Sequence, residues 1–204
     1  GMECHVAADG PKALDAARSW RPQAAILDVN MPGMDGYEVL AAIRAENLPV
    51  RVMLLVTDHQ RGGSPLRLAR LARGLHAAGV EVHAGCLAPP GPVSVELQTA
   101  GIPTFACGAE DARDFLALAR LSQHVRRIKA DLIHATLTHA NVAARIVGVV
   151  QRVPVIGSTA TIEMERPWHR VVERATARID RAHIVNSRAV AEHVAGLVRA
   201  HVLQ

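Results

Sequence analysis

Residues able to bind a ligand are concentrated in one short polar stretch, which holds His134, Thr136, Thr138, His139 and Asn141. Their imidazole, hydroxyl and amide groups donate and accept hydrogen bonds. An apolar run precedes this stretch, a segment with helical spacing follows it, and Val153–Ile156 reads as a further strand. The order predicts a strand, helix, strand unit, and ligands of open parallel sheets bind at the carboxyl ends of the strands, where the polar stretch falls.

A second candidate site follows an earlier predicted strand, the apolar run at residues 50–57. Gly62 and Gly63 come shortly before a predicted helix, Leu66–Ala78. Glycine lets the backbone approach a ligand closely, and the first N–H groups of a helix suit a phosphate. A flexible turn is the alternative interpretation. We expect the glycine pair and the loop predicted to hold His134 and His139 to lie on one edge of the sheet, because right-handed crossovers bring successive strand ends together.

These motifs together resemble the amino-terminal domain of GT-B glycosyltransferases, which transfer sugar from nucleotide donors. The resemblance covers about residues 50–204 and rests on Asp131-Leu-Ile-His134, His139-Ala-Asn141, Ala143-Ala-Arg145, Val153-Pro-Val-Ile156 and Ser158-Thr159. It implies a nucleotide sugar as donor substrate, with His139 and His134 as catalytic candidates. It also implies a set of binding residues: Gly62, Gly63, Thr136, His139, Asn141 and Ser187. Thr136 departs from the histidine that the family often has at this point, and hydrogen bonds that cap the loop are the alternative role for His139.

A different pattern occupies residues 1–49. Ala24–Asp28 reads as a buried strand that ends in a carboxylate, and Ile26–Leu40 resembles the phosphoacceptor segment of response-regulator receiver domains. The resemblance implies that Asp28 is the phosphoacceptor, with Mg²⁺ offsetting the charge. Thr57 stands where a receiver has its hydroxyl residue. In a receiver, the acidic pair that would hold Mg²⁺ comes before the position of Cys4, and the sequence shows no such pair there. A folded remnant is therefore favoured over an active phosphoacceptor.

The predicted fold class is α/β, a doubly wound, parallel, Rossmann-like sheet with helices on both faces over residues 50–204. A partial flavodoxin-like receiver segment over residues 1–49 extends it. Half of the residues are hydrophobic but only 2% are aromatic, which suits strands buried on both faces and built from small aliphatic side chains. The remaining periodicity predicts a helix over Asp111–Ile128, a last strand over Ala182–Ser187 and a last helix over Arg188–Val198.

Net charge, cysteine spacing and hydropathy indicate which kinds of partner and which cellular location the sequence favours. The formal net charge of +4 is too small and too scattered to predict nucleic-acid binding. Cys4, Cys86 and Cys107 lack the spacing of metal ligands, and His134 and His139 lack a third ligand, so we expect no metal site. We expect the three cysteines to be free thiols in a reducing compartment. No apolar run reaches the roughly 18 residues that span a bilayer. A cytoplasmic protein without a transmembrane segment is therefore expected.

Three functions fit the sequence. The first is the acceptor-side domain of a glycosyltransferase fused to a partial receiver, inactive alone because the donor-binding domain is missing, with weak binding of nucleotide sugar or acceptor. The second is a response regulator phosphorylated on Asp28, the one case in which Mg²⁺ would be a cofactor. The third is an engineered or recombined fusion of two α/β fragments. A homodimer is a possibility that the sequence leaves open.

Overall fold

The computed structural model describes residues 7–20, 39, 42, 50–111, 114–159, 167–185, 187–194 and 200–202. In these residues seven strands occur: β1 (Arg51–Val56), β2 (Glu81–Cys86), β3 (Thr104–Ala106), β4 (Leu132–Thr136), β5 (Val155–Thr159), β6 (Ala182–Val185) and β7 (Ala200–Val202). They form one sheet in the order β3-β2-β1-β4-β5-β6-β7. Every neighbouring pair is parallel.

Helices connect the parallel strands, as crossovers must. The helices are α1 (Gly10–Trp20), α2 (Gly63–Ala77), α3 (Pro92–Thr99), α4 (Phe115–Ile128), α5 (Thr138–Gln151), α6 (Pro167–Thr176) and α7 (Arg188–Val194). A short 3₁₀ turn, Ala177–Ile179, follows α6. The predicted doubly wound, Rossmann-like sheet is confirmed, and its order contains the 3-2-1-4-5-6 arrangement of that class.

The sheet buries a core on each face because successive side chains of a strand point to opposite sides. In β1, Leu54 and Val56 join the first core, which α2 and α3 cover with residues such as Leu68. Met53 and Leu55 join the second core, which α4 and α5 cover with residues such as Leu121. Helices therefore lie on both faces, as predicted, and β1 contributes to both cores.

Several element boundaries differ from the predicted ones. The helix expected over Asp111–Ile128 begins at Phe115, because the Asp114 carboxylate accepts hydrogen bonds from Leu116 N and Ala117 N at 3.0 and 3.2 Å. The last helix is described over Arg188–Val194, and residues 195–199, which hold its predicted end at Val198, lie outside the described residues. The chain then adds β7 to the sheet. β7 was not predicted, because the segment after the predicted last helix is too short and too weakly periodic to indicate a strand.

Part of the receiver-like segment is described. Asp9 caps α1, since its carboxylate accepts a hydrogen bond from Lys12 N at 2.9 Å. Leu14 and Ala17 pack with Val39 in a small apolar cluster separate from the two sheet cores. The predicted phosphoacceptor Asp28 and its strand lie outside the described residues.

Close packing between α5 and β5 generates a test of the fold. A Cβ at Gly148 would meet the Val155 side chain and would lie 2.8 Å from the carbonyl oxygen of Val153. We expect Gly148→Ala to lower the free energy of unfolding by about 1–3 kcal/mol in urea denaturation, because backbone must move to admit the methyl group. Gly63→Ala is the matched control, since a Cβ there meets nothing within 4 Å. A Gly148→Ala protein as stable as the control would contradict the packing of α5 on β5.

Candidate functional site

The carboxyl end of β1 lies beside that of β4, at the point where the order of the sheet reverses. The chain runs from β1 outward to β3 on one side and from β4 to β7 on the other. Val56 pairs with Thr136 at the end of the two strands. The glycine pair and His139 follow these paired ends, so the predicted common edge is confirmed. Ligands of doubly wound folds bind in the crevice at such a switch point.

The glycine pair leads directly into α2. Gly62 is the residue before the helix and Gly63 its first residue, and both are exposed. No side chain caps this end of α2, and the third helical residue, Pro65, has no N–H group. The N–H groups of Gly63 and Ser64 therefore have no partner within the helix, and the positive end of the helix dipole favours an anion there. Gly63 is exposed, whereas Ser64 is buried. The prediction of a loop at Gly63 is corrected, because the helix begins three residues before Leu66.

His59 is a residue of this edge that the sequence analysis missed. It is fully buried, and its Nδ1 lies 2.6 Å from the hydroxyl of Ser94 in α3. Its carbonyl accepts a hydrogen bond from Val93 N at 3.1 Å. Burial lowers the pKa of His59, so the neutral ring is favoured. His59 thus joins the segment after β1 to the start of α3, a contact without a local sequence signal.

The expected loop around His134 and His139 is a sharp turn instead. His134 and Thr136 belong to β4, Thr138 begins α5, and only Leu137 separates the two elements. Leu137 has φ 78° and ψ 151°, a backbone region that is essentially restricted to glycine and costs on the order of 1–3 kcal/mol. Such strain persists where the surrounding structure imposes it. His139 is half-buried in the first turn of α5, beside the crevice.

Asn141 and Thr136 bind the neighbouring strand β5 through Ser158. The Asn141 amide donates to Ser158 O at 3.1 Å and accepts from Ser158 N at 3.3 Å, and Asn141 is fully buried. The Thr136 hydroxyl lies 2.8 Å from the Ser158 hydroxyl, which also donates to Ala135 O at 3.0 Å. These bonds hold the carboxyl ends of β4 and β5 together. A ligand that contacts Asn141 or Thr136 must share or displace them.

His134 and Ser187 occupy different environments. The His134 Nε2 atom is buried without a hydrogen-bond partner, and burial, with a smaller contribution from His183, lowers the pKa of His134 to about 4. His134 is therefore neutral at pH 7. Ser187 is exposed and its hydroxyl accepts a hydrogen bond from Val190 N at 3.3 Å, so it caps α7. It follows β6, three strand spacings or about 14 Å from β1.

The predictions about metal ligands, cysteines and membrane-spanning helices can be compared with the structure only in the described residues. Among the residues that the structure describes, no group of three or more His, Cys, Asp or Glu side chains could hold a metal ion. Cys86 and Cys107 are buried free thiols, and burial raises the pKa of each to about 12. No helix in the described part of the chain is long and apolar enough to cross a membrane.

The chain belongs to the glycosyl transferase 4-like domain family, whose model matches residues 62–203, more than half of the chain. The model of the response regulator receiver domain matches residues 1–71. The two matches overlap at residues 62–71. Both resemblances found in the sequence are thus confirmed, and the chain combines a glycosyltransferase-like domain with receiver-like sequence.

Curated relatives that are transcriptional regulators match a short segment of the chain. The probable transcriptional regulatory protein NarL of Mycobacterium tuberculosis is 49% identical over 47 residues, which are 23% of this chain and 22% of that protein. The transcriptional regulatory protein PrrA of Mycobacterium tuberculosis is 46% identical over 55 residues, 27% of this chain and 24% of that protein. The chain therefore spans about a quarter of the length of these relatives.

Solved structures match the sheet described above. Anabaena HepE, solved in complex with UDP, has a TM-score of 0.59 at 20% identity, over 75% of this chain and 43% of that protein. A glycosyltransferase from Rickettsia africae has a TM-score of 0.59 at 10% identity, over 76% of this chain and 41% of that protein. Identities this low show a common fold. The chain spans less than half of either protein.

The lowered pKa of His134 generates a prediction about pH. An unfolded histidine titrates near pH 6.5, whereas the folded-state pKa of His134 is about 4. Its contribution to stability is therefore complete above about pH 6.5 and is lost as the pH falls toward 4. We expect His134→Leu to reduce the loss of unfolding free energy between pH 7.5 and pH 5, measured in urea, by about 2 kcal/mol. His76→Leu, on the exposed side of α2, is the control. An equal pH dependence of stability in all three proteins would show that folding does not lower the pKa of His134.

Proposed function

We propose that residues 50–204 form the acceptor-side, amino-terminal half of a GT-B glycosyltransferase, which binds nucleotide sugar or acceptor weakly and requires a second domain for sugar transfer. The observation that carries the proposal is the pairing of β1 with β4, whose carboxyl ends lie side by side where the sheet order reverses. This edge combines the uncapped start of α2, where Gly63 is exposed, with His139 in the first turn of α5, and each follows one of the two paired strands. Phosphate oxygens suit the helix end, and sugar hydroxyl groups suit imidazole.

The share of the solved structures that the chain spans supports the requirement for a second domain. It covers 43% of HepE, a protein solved with UDP and with UDP-glucose. A ligand held by one wall of a cleft buries little of its surface, and most small-molecule sites bury 70–90% of a ligand. Residues 1–49 would then be an appended receiver segment. The buried thiols of Cys86 and Cys107 fit a reducing compartment such as the cytoplasm.

Signalling through Asp28 is the second candidate. The similarity to curated regulators supports it, although that similarity extends over only a short segment. In the flavodoxin-like order 2-1-3-4-5, strand 4 lies between strands 3 and 5. Residues 51–56 would be that fourth strand, yet β1 pairs with β2 on one edge and β4 on the other. No edge of β1 is left for the strand predicted to end at Asp28. Thr57, the expected receiver hydroxyl, has a buried Oγ1 without a hydrogen-bond partner.

Ligand binding by the full chain is the direct test of the glycosyltransferase proposal. We expect UDP-glucose to shift the backbone amide signals of Gly63, Ser64 and His139 in NMR titrations, with a dissociation constant near 1 mM, about 4 kcal/mol. His139→Ala should weaken binding several-fold. His76→Ala is the matched control, because His76 is an exposed histidine of α2.

Three other outcomes would change the proposal. No response to UDP-glucose or to other nucleotide diphosphate sugars would refute it. Micromolar affinity would mean that a second copy of the chain completes the site. Hydrolysis or transfer of the sugar would refute the requirement for another domain.

Phosphorylation tests the second candidate. We expect no stable phosphoryl group on Asp28 after incubation with acetyl phosphate and Mg²⁺, because β1, which would be the receiver's fourth strand, has both edges paired in the glycosyltransferase-like sheet. Intact-mass spectrometry provides the measurement, with Asp28→Asn as the control. A gain of one phosphoryl group that Asp28→Asn abolishes would establish the receiver chemistry.

A further inference from the structure

A buried ionic cluster connects α5 with the turns before β6. The Arg145 guanidinium is fully buried and binds Asp180 through two hydrogen bonds, at 2.8 and 2.6 Å. Arg145 also binds Glu173 and donates to the Thr176 hydroxyl at 2.9 Å. A buried guanidinium requires such complete pairing, because an unpaired charge in a protein interior is strongly destabilising. The cluster therefore has one well-defined geometry.

His183 extends this cluster toward the sheet edge that carries the candidate site. Its Nδ1 lies 2.9 Å from Asp180 Oδ2, and its Nε2 lies 2.9 Å from the hydroxyl of Thr159. Thr159 is the last residue of β5. A continuous series of hydrogen bonds thus runs from Arg145 through Asp180 and His183 to the carboxyl end of β5.

The chemistry of each partner determines where the protons lie. Asp180 accepts two bonds from a guanidinium, so it is a carboxylate and can only accept. His183 must then carry a proton on Nδ1. If the ring is neutral, Nε2 is an acceptor, and the Thr159 hydroxyl then donates its single proton to it. Only oxygen lone pairs of Thr159 remain for other partners.

We propose that Thr159 is a further ligand-binding residue, whose hydroxyl accepts a hydrogen bond from a sugar hydroxyl group and does not donate to phosphate. Arg145, Asp180 and His183 are positioning residues that fix this polarity. The neighbouring Ser158 cannot take this role, since it is buried and its hydroxyl already bonds Thr136 and Ala135 O. Thr159 is partly exposed. The inference rests on the proposed binding of a nucleotide sugar.

The first experiment compares UDP-glucose with UDP in NMR titrations of the full chain. Thr159→Val removes the acceptor and should weaken UDP-glucose about threefold to tenfold, the value of one hydrogen bond, while UDP binding is unchanged. Thr159→Ser should restore the preference for the sugar. Thr104→Val is the matched control, because Thr104 is a partly exposed threonine that begins the edge strand β3 and bonds Gln98.

The second experiment reads the His183 tautomer directly from its ring ¹⁵N signals at pH 8. We expect protonated Nδ1 and unprotonated Nε2, and loss of this pattern together with the preference for UDP-glucose in Asp180→Asn. The opposite tautomer in the wild-type protein would overturn the proposal even if a variant failed to fold. An unchanged preference in Thr159→Val would also overturn it. A wild-type protein that binds neither ligand would instead refute the proposed function on which the inference rests.

Discussion

The pairing of β1 on both edges is the constraint on which the rest of the structure depends. Its six residues pair with β2 on one side, and five of them pair with β4 on the other. Met53 and Leu55 face one core while Leu54 and Val56 face the other, all at most 1% exposed. Removing this strand would open both cores at once. The sheet order and the switch-point crevice both follow from its central position.

The same constraint decides how the two family resemblances share the chain. The family matches overlap at residues 62–71, which are Gly62 and the first part of α2. Residues 51–56 would suit either family by their apolar pattern, because an inner parallel strand looks alike in both folds. In the structure they have neighbours only from the glycosyltransferase-like side. A strand has two edges, so this use leaves none for a receiver sheet.

Polar residues at the carboxyl edge of the sheet stabilise the fold and are also the residues proposed to bind a ligand. Thr136 joins β4 to β5 and Asn141 joins α5 to β5, both through Ser158, and His183 joins β6 to Thr159. These contacts preorganise the strand ends before any ligand arrives. Preorganisation lowers the cost of binding, since fewer side chains lose freedom when the ligand binds. The strained Leu137 backbone belongs to the same arrangement, because it turns β4 directly into α5.

The sequence by itself determined the fold class, the order of most elements and the edge where polar residues gather. Apolar periodicity and turn residues are local signals, so β1, β4, β5 and the helices between them could be predicted. The same signals predicted that Gly62, Gly63 and His139 would follow strand ends.

Only the tertiary structure decided which polar groups are available. Asn141 bonds a residue 17 positions away and Arg145 one 35 positions away, and no local pattern reports such partners. The role of His59 depends on α3, and the polarity of Thr159 depends on Asp180 through His183. Hydrogen-bond partners are set by packing between distant segments, whereas helix and strand formation is set largely by neighbours in the chain.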